Sequence, residues 1–196
     1  MTFGEYTALL DRLLDEGLTT GTKQSEEMLH YARMNRQRMH RLEKTAVVND
    51  ELKGSLKKVS QKMIWLVITE GWCGDAAQNV PVIEKMAAEN INIETRYVLR
   101  DEHTELIDRF LTNGARSIPK LIAIDAETLE VLGTWGARPK EAQSLYDELK
   151  VQGADKETIM ERLQRWYNAD KNQAIQSEFI ELVNVWSSSE RVSLAA

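Results

Sequence analysis

Residues 63–69 read MIWLVIT. A short, near-continuous apolar run rich in β-branched residues suits a strand buried on both faces, not one with a wet side. Such a strand needs cover above and below it, and the segments that follow supply it. Residues 75–89 carry Val80, Ile83, Met86 and Ala87 at helical spacing. INIETRYVL (91–99) alternates like a strand, and residues 102–111 read as a helix ending at the C-cap pair Asn113-Gly114. KLIAID (120–125) and LEVLGTW (129–135) form a hairpin pattern around a short acidic turn, and a further helix is expected over 140–150. The middle is thus β-α-β-α-β-β-α. The first three strands need crossover helices and the last pair closes as a hairpin. The expected fold class is α/β: a mixed sheet of about four strands with helices on both faces.

Both ends are helical in pattern. Phe3, Tyr6, Leu9, Leu10, Leu13 and Leu14 mark one amphipathic helix, which Gly17 and the TTGT stretch end. A second starts near Ser25 with Met28, Leu29, Met34, Met39 and Leu42 on its apolar side, and a short third lies near 50–59, broken or ended around Gly54. After Gly153, residues 155–168 and 171–186 carry Ile159, Leu163, Trp166, Phe179, Leu182 and Trp186, and SSSERVSLAA reads as a frayed end. The expected division is a helical extension over 1–59, an α/β domain over 60–150 and a second helical extension over 151–196. The apolar faces of the extensions must bury against their own chain or a second copy, which makes a homodimer a candidate.

Charge and cysteine usage narrow the function classes. The net charge of −6 gives no general attraction to nucleic acid or an anionic membrane. The basic segment HYARMNRQRMHRLEK (30–44) reads best as a solvated face above a Met/Leu stripe. No run of eighteen apolar residues exists, and MTFGEYTALLDRLLDEG lacks the cationic start and apolar run of a signal peptide. With a single cysteine and no intramolecular disulfide, the expected location is cytoplasmic. His30, His40 and His103 do not form a ligand pair, no HExxH or Gly-rich phosphate loop is present, and neither metal nor cofactor is expected. A G-x-S-x-G motif is also missing.

That one cysteine stands in W-C-G-D-A at 72–76, between the buried strand and a helix. Pro81 follows eight residues later, Ser117-Ile118-Pro119 precedes a strand, and Gly136 follows the last strand. Together, over about residues 60–150, these features resemble the thioredoxin family. The resemblance implies a thiol at a helix start, a kinking proline at Pro81, and a cis proline at Pro119 facing the thiol. It also implies that Gly136 borders the substrate groove. Three parts depart from the family pattern: Ala76 replaces the second thiol, Asp75 replaces the intervening proline, and Val67 stands where many thioredoxins bury an aspartate. Intramolecular resolution of a mixed disulfide is excluded, because no second thiol exists to perform it.

The expected activity is single-cysteine thiol–disulfide exchange, or mixed-disulfide formation, at Cys73. The partner would be a low-molecular-weight thiol or a protein thiol or disulfide. The alternative is a non-catalytic binding module that uses the groove or the helical extensions. A helix N-terminus favours the thiolate, whereas the Asp75 carboxylate two residues on disfavours a second negative charge. Cys73 and Asp75 are therefore the candidate catalytic pair, with Asp75 a modulator or proton carrier. Trp72, Gly74, Ile118, Pro119 and Gly136 are the candidate substrate-binding residues. Arg100, Arg116 and Arg138 fall in loops expected at the thiol end of the sheet. They are candidates for binding an anion, or for pairing with Asp75, Asp101 or Glu102.

Overall fold

The computed structural model describes residues 1–188; residues 189–196, most of the stretch expected to fray, lie outside the described residues. Four strands form one sheet in the order β2-β1-β3-β4: β1 (Met63–Thr69), β2 (Ile93–Leu99), β3 (Lys120–Asp125) and β4 (Val131–Trp135). β2 runs parallel to β1, while β3 is antiparallel to β1 and β4 antiparallel to β3. The mixed sheet carries helices on both faces, with further helices at each terminus. Central β1 is buried almost throughout, as its composition requires.

Three helices precede the sheet: α1 (Phe3–Asp15), α2 (Glu26–Thr45) and α3 (Asp50–Leu56). Each begins where a side chain takes up an otherwise unpaired backbone N–H: Thr2 within a capping box with Glu5, then Ser25 and Asn49. Each such cap stabilises its helix by about 1 kcal/mol. Tyr6 of α1 stacks on Tyr97 of β2 at 5.6 Å and shares a hydrogen bond with Thr69 Oγ1. α2 buries Ala32, Asn35, Met39 and Leu42, a stripe at spacings of three and four, and lies against α4 (Gly74–Ala87). α4 is buried on nearly every side, consistent with a helix held between others and the sheet.

Residues 102–111 depart from the expected single helix. Only α5 (Thr104–Ile107) is helical, and the chain then continues through tighter i→i−3 bonds at Arg109 and Phe110 to the Thr112–Ala115 bridge. The cause is local. His103 provides no side-chain cap, Ile107 is the one apolar residue of the segment fully buried, and Leu111 is 41% exposed. Leu106 and Phe110 also pack against the core, but only in part, and Leu111 turns outward.

The last three helices are α6 (Lys140–Val151), α7 (Lys156–Asp170) and α8 (Gln173–Ser187). α8 closes over the sheet: Phe179 and Trp186 meet Trp65 edge-on at 5.4 and 6.0 Å, and Phe179 also meets Trp135. The Trp186 indole lies so close to Gly133 of β4 that a Cβ there would collide with it. Burying such aromatic side chains contributes roughly 1.5–3 kcal/mol each. One continuous apolar core thus runs from Tyr6 to Trp186. α6 and α7 share a second, smaller cluster of Ala142, Leu149, Ile159, Leu163 and Tyr167.

Candidate functional site

Cys73 is the N-cap of α4, and its Sγ accepts a hydrogen bond from the Ala76 N–H at 3.4 Å. The thiol in turn donates to the Ile118 carbonyl at 3.3 Å. The Ile118–Pro119 peptide bond is cis, and the Ile118 carbonyl is the point where this candidate wall meets the thiol. Gly136 completes that wall. Its φ is +118°, and a Cβ would run into the Pro119 carbonyl oxygen, so only glycine lets the strand end approach so closely. Ala76, where the second thiol would stand, is fully buried.

The competition at the thiol is resolved against the thiolate. Cys73 is 8% exposed, and burial pushes its thiol up to about 12, with the Asp75 charge adding to the rise. The Ala76 N–H and Arg138 act in the opposite direction but do not compensate. The thiol is accordingly protonated at neutral pH in this closed arrangement.

Asp75 is held from two sides. Arg138 Nη2 lies 2.8 Å from one carboxylate oxygen, and the Tyr167 hydroxyl donates to the other at 2.9 Å. Burial pushes the Asp75 carboxyl up, while Arg138 and the Tyr167 hydroxyl work against that rise. Arg138 packs over the Tyr146 ring at 4.2 Å and donates to Gln143 Oε1, so α6 positions it. Asn79 donates both to the Asp75 carbonyl and to the Tyr167 hydroxyl, and Gln78 donates to Gln164. α6 and α7 thereby form a polar seam over the N-terminal end of α4, beside the thiol.

The other two arginines also close on carboxylates of the chain. Arg100 pairs with Asp101 at 2.8 Å and lies 4.7 Å over the Trp72 ring, and exposed Arg116 pairs with Asp108 at 2.6 Å. Trp72 therefore sits beneath Arg100, half-buried next to the thiol residue. Gly74 opens α4 with the Arg38 guanidinium of α2 beside it.

Sequence reasoning missed several members of this neighbourhood. Tyr167 falls in register with Ile159 and Leu163, so its burial was legible, but its reach to Asp75, 92 positions earlier, was not. Glu70 is wholly buried two residues before Trp72. One of its oxygens accepts the Asp101 N–H at 2.9 Å, and burial pushes its carboxyl up. An acid directly after an apolar strand was the available signal. Asn35 supports the same turn by donating to the Gly71 carbonyl.

Among the described residues no group of three or more His, Cys, Asp and Glu side chains is arranged to hold a metal ion, and no helix is long and apolar enough to cross a membrane. Two solved structures resemble the fold. One is a protein of unknown function from Pseudomonas aeruginosa, 14% identical, with 94% of this chain and 98% of that one covered and a TM-score of 0.57. The other is an HIV epitope scaffold, 16% identical, with the same coverage and a TM-score of 0.54. At such identities the likeness concerns the fold alone. No curated protein matches the chain. A family model described as Thioredoxin matches residues 21–150, more than half of the sequence and including the thiol, the cis proline and Gly136. The chain belongs to the thioredoxin family.

Proposed function

We propose that this protein carries out single-cysteine thiol–disulfide exchange at Cys73, starting from a closed and protonated thiol. The observation that carries the reading is the placement of Sγ. It caps α4 through the Ala76 N–H and faces the carbonyl that precedes Pro119, with no second thiol in the chain. The step balances without a further oxidant. Cys73 releases its proton to water, and the thiolate attacks one sulfur of a disulfide. The S–S bond breaks, the displaced thiolate leaves, and a Cys73 mixed disulfide remains. With Ala76 in the second position, an external low-molecular-weight or protein thiol must resolve it. Opening of the Asp75–Arg138–Tyr167 seam admits water to the sulfur and relieves the desolvation that chiefly holds the thiol up. The seam thus keeps the resting thiol slow.

Burial of Cys73 favours a second reading, a binding module that holds its partner non-covalently in the groove. Intact-mass measurement after incubation with a small disulfide separates the two. The exchange reading predicts one adduct at Cys73 that dithiothreitol removes and Cys73→Ser abolishes. A chain that stays unmodified while binding its partner undiminished as Cys73→Ser would support the module instead.

A further inference from the structure

Tyr167 also lines a cleft of about 330 Å³, formed where the end of α2, α4 and the α7–α8 junction meet. Arg41, Val47, Gln78, Tyr167, Asn168 and Lys171 are among its lining residues. The volume is at the lower end of the range for small-molecule sites. Two cations, three side-chain amides and a few apolar side chains make up most of its wall, and no acidic residue contributes.

The cations here face a cleft whose lining holds no carboxylate to neutralise them. Among the described residues, Arg41 and Lys171 close no salt bridge, and neither does Arg38, one turn before Arg41. Acids on the first two helices and on α7 have partners of their own. Glu43 and Asp11 are both taken by Arg36, Glu27 is taken by Lys156, and Asp170 accepts the Ala174 N–H at the start of α8. Arg38 is left with only the neutral Asn35 carbonyl oxygen as a partner. Its guanidinium is held below its ordinary value by burial and by the like charge of Arg41. An array of like charges around a concave, partly apolar space lacks one component, a negative charge to occupy it.

We infer that this cleft binds a small anionic molecule bearing a carboxylate or phosphate group, with Arg41 and Lys171 as its charged contacts and the Gln78 and Asn168 amides as its polar ones. Val47, 73% exposed at the rim, offers apolar contact to the remainder of such a molecule. The inference does not depend on thiol chemistry, although Tyr167 belongs to both the cleft and the Asp75 seam.

Titration of the full-length, ¹⁵N-labelled protein with inorganic phosphate, with succinate, and with chloride at matched ionic strength tests it. The side-chain amide signals of Gln78 and Asn168 are the readout. Saturable shifts with phosphate alone assign a phosphorylated ligand, with succinate alone a carboxylate, and with both the shared anionic chemistry. Arg41→Gln and Lys171→Gln should each weaken binding about tenfold, the size expected for loss of one charge-assisted contact. Both side chains are exposed, so the variants retain the fold. Shifts that grow linearly with every anion, chloride included, would overturn the inference. So would saturation unchanged in the double variant.

Discussion

The Arg138 guanidinium lies 2.8 Å from the Asp75 carboxylate, and this buried pair stands two residues from the only thiol of the chain. Asp75 raises the thiol, Arg138 partly offsets it, and Tyr167 fixes the carboxylate that both depend on. Asp75→Asn should therefore do two opposite things. Removing the like charge eases ionisation of Cys73, so its alkylation at pH 8 should quicken by at least about threefold. Leaving Arg138 buried and unpaired should cost about 3 kcal/mol in urea unfolding. Adding Arg138→Gln should restore much of that stability, with labelling slower than in Asp75→Asn alone, because a cation that favours the thiolate is lost, but still faster than in wild type.

Tyr167→Phe isolates the contribution of the seam. The variant loses the hydrogen bond to Asp75 and the one from Asn79 while keeping the ring in the α6–α7 cluster. A loss of about 1–2 kcal/mol is expected in denaturant unfolding, with faster Cys73 labelling at constant pH. Labelling unchanged despite that loss would show that the seam does not gate the thiol.

Glu70 gives a pH signature of its own. Its folded value is raised by burial, so the folded state favours the protonated form. The associated stabilisation is full below the unfolded carboxyl value and is lost as pH rises through the folded value. Glu70→Gln, which mimics the neutral form, should gain stability relative to wild type on going from pH 4 to pH 7. Unfolding curves at the two pH values check the sign.

Gly136→Ala tests the wall opposite the thiol. The position combines a φ of +118° with a close carbonyl, so an added methyl must move backbone rather than a flexible side chain. A loss of about 2–3 kcal/mol is expected by thermal or chemical unfolding, a magnitude typical of such strain.

Much of this organisation was legible in the sequence because it rests on local periodicity. The apolar run of β1, the hairpin of β3 and β4 and the amphipathic stripes of α1 and α2 follow from spacing alone. The thiol, Ile118-Pro119 and Gly136 carried the family resemblance. Failures occur where tertiary contact decides. α5 stops after four residues, without a side-chain cap at His103 and with Leu111 left exposed, although Phe110 beyond it still reaches the core. The direction of the Cys73 shift was open in the sequence, since helix end and carboxylate oppose each other. It is decided by desolvation, which depends on elements far away in the chain. Tyr167 and Arg138 converge on Asp75 from 92 and 63 positions away, and no spacing rule encodes such a meeting.

The rate of Cys73 modification by a small neutral disulfide, followed by intact mass from pH 7 to pH 11, tests the central claim most directly. A thiol held up to about 12 predicts a rate that rises close to tenfold per pH unit across the native range without levelling off, and an adduct that added thiol reverses. A plateau at or below about pH 8.5, the ordinary thiol value, would contradict a closed and protonated site, and absence of any adduct throughout would contradict exchange itself.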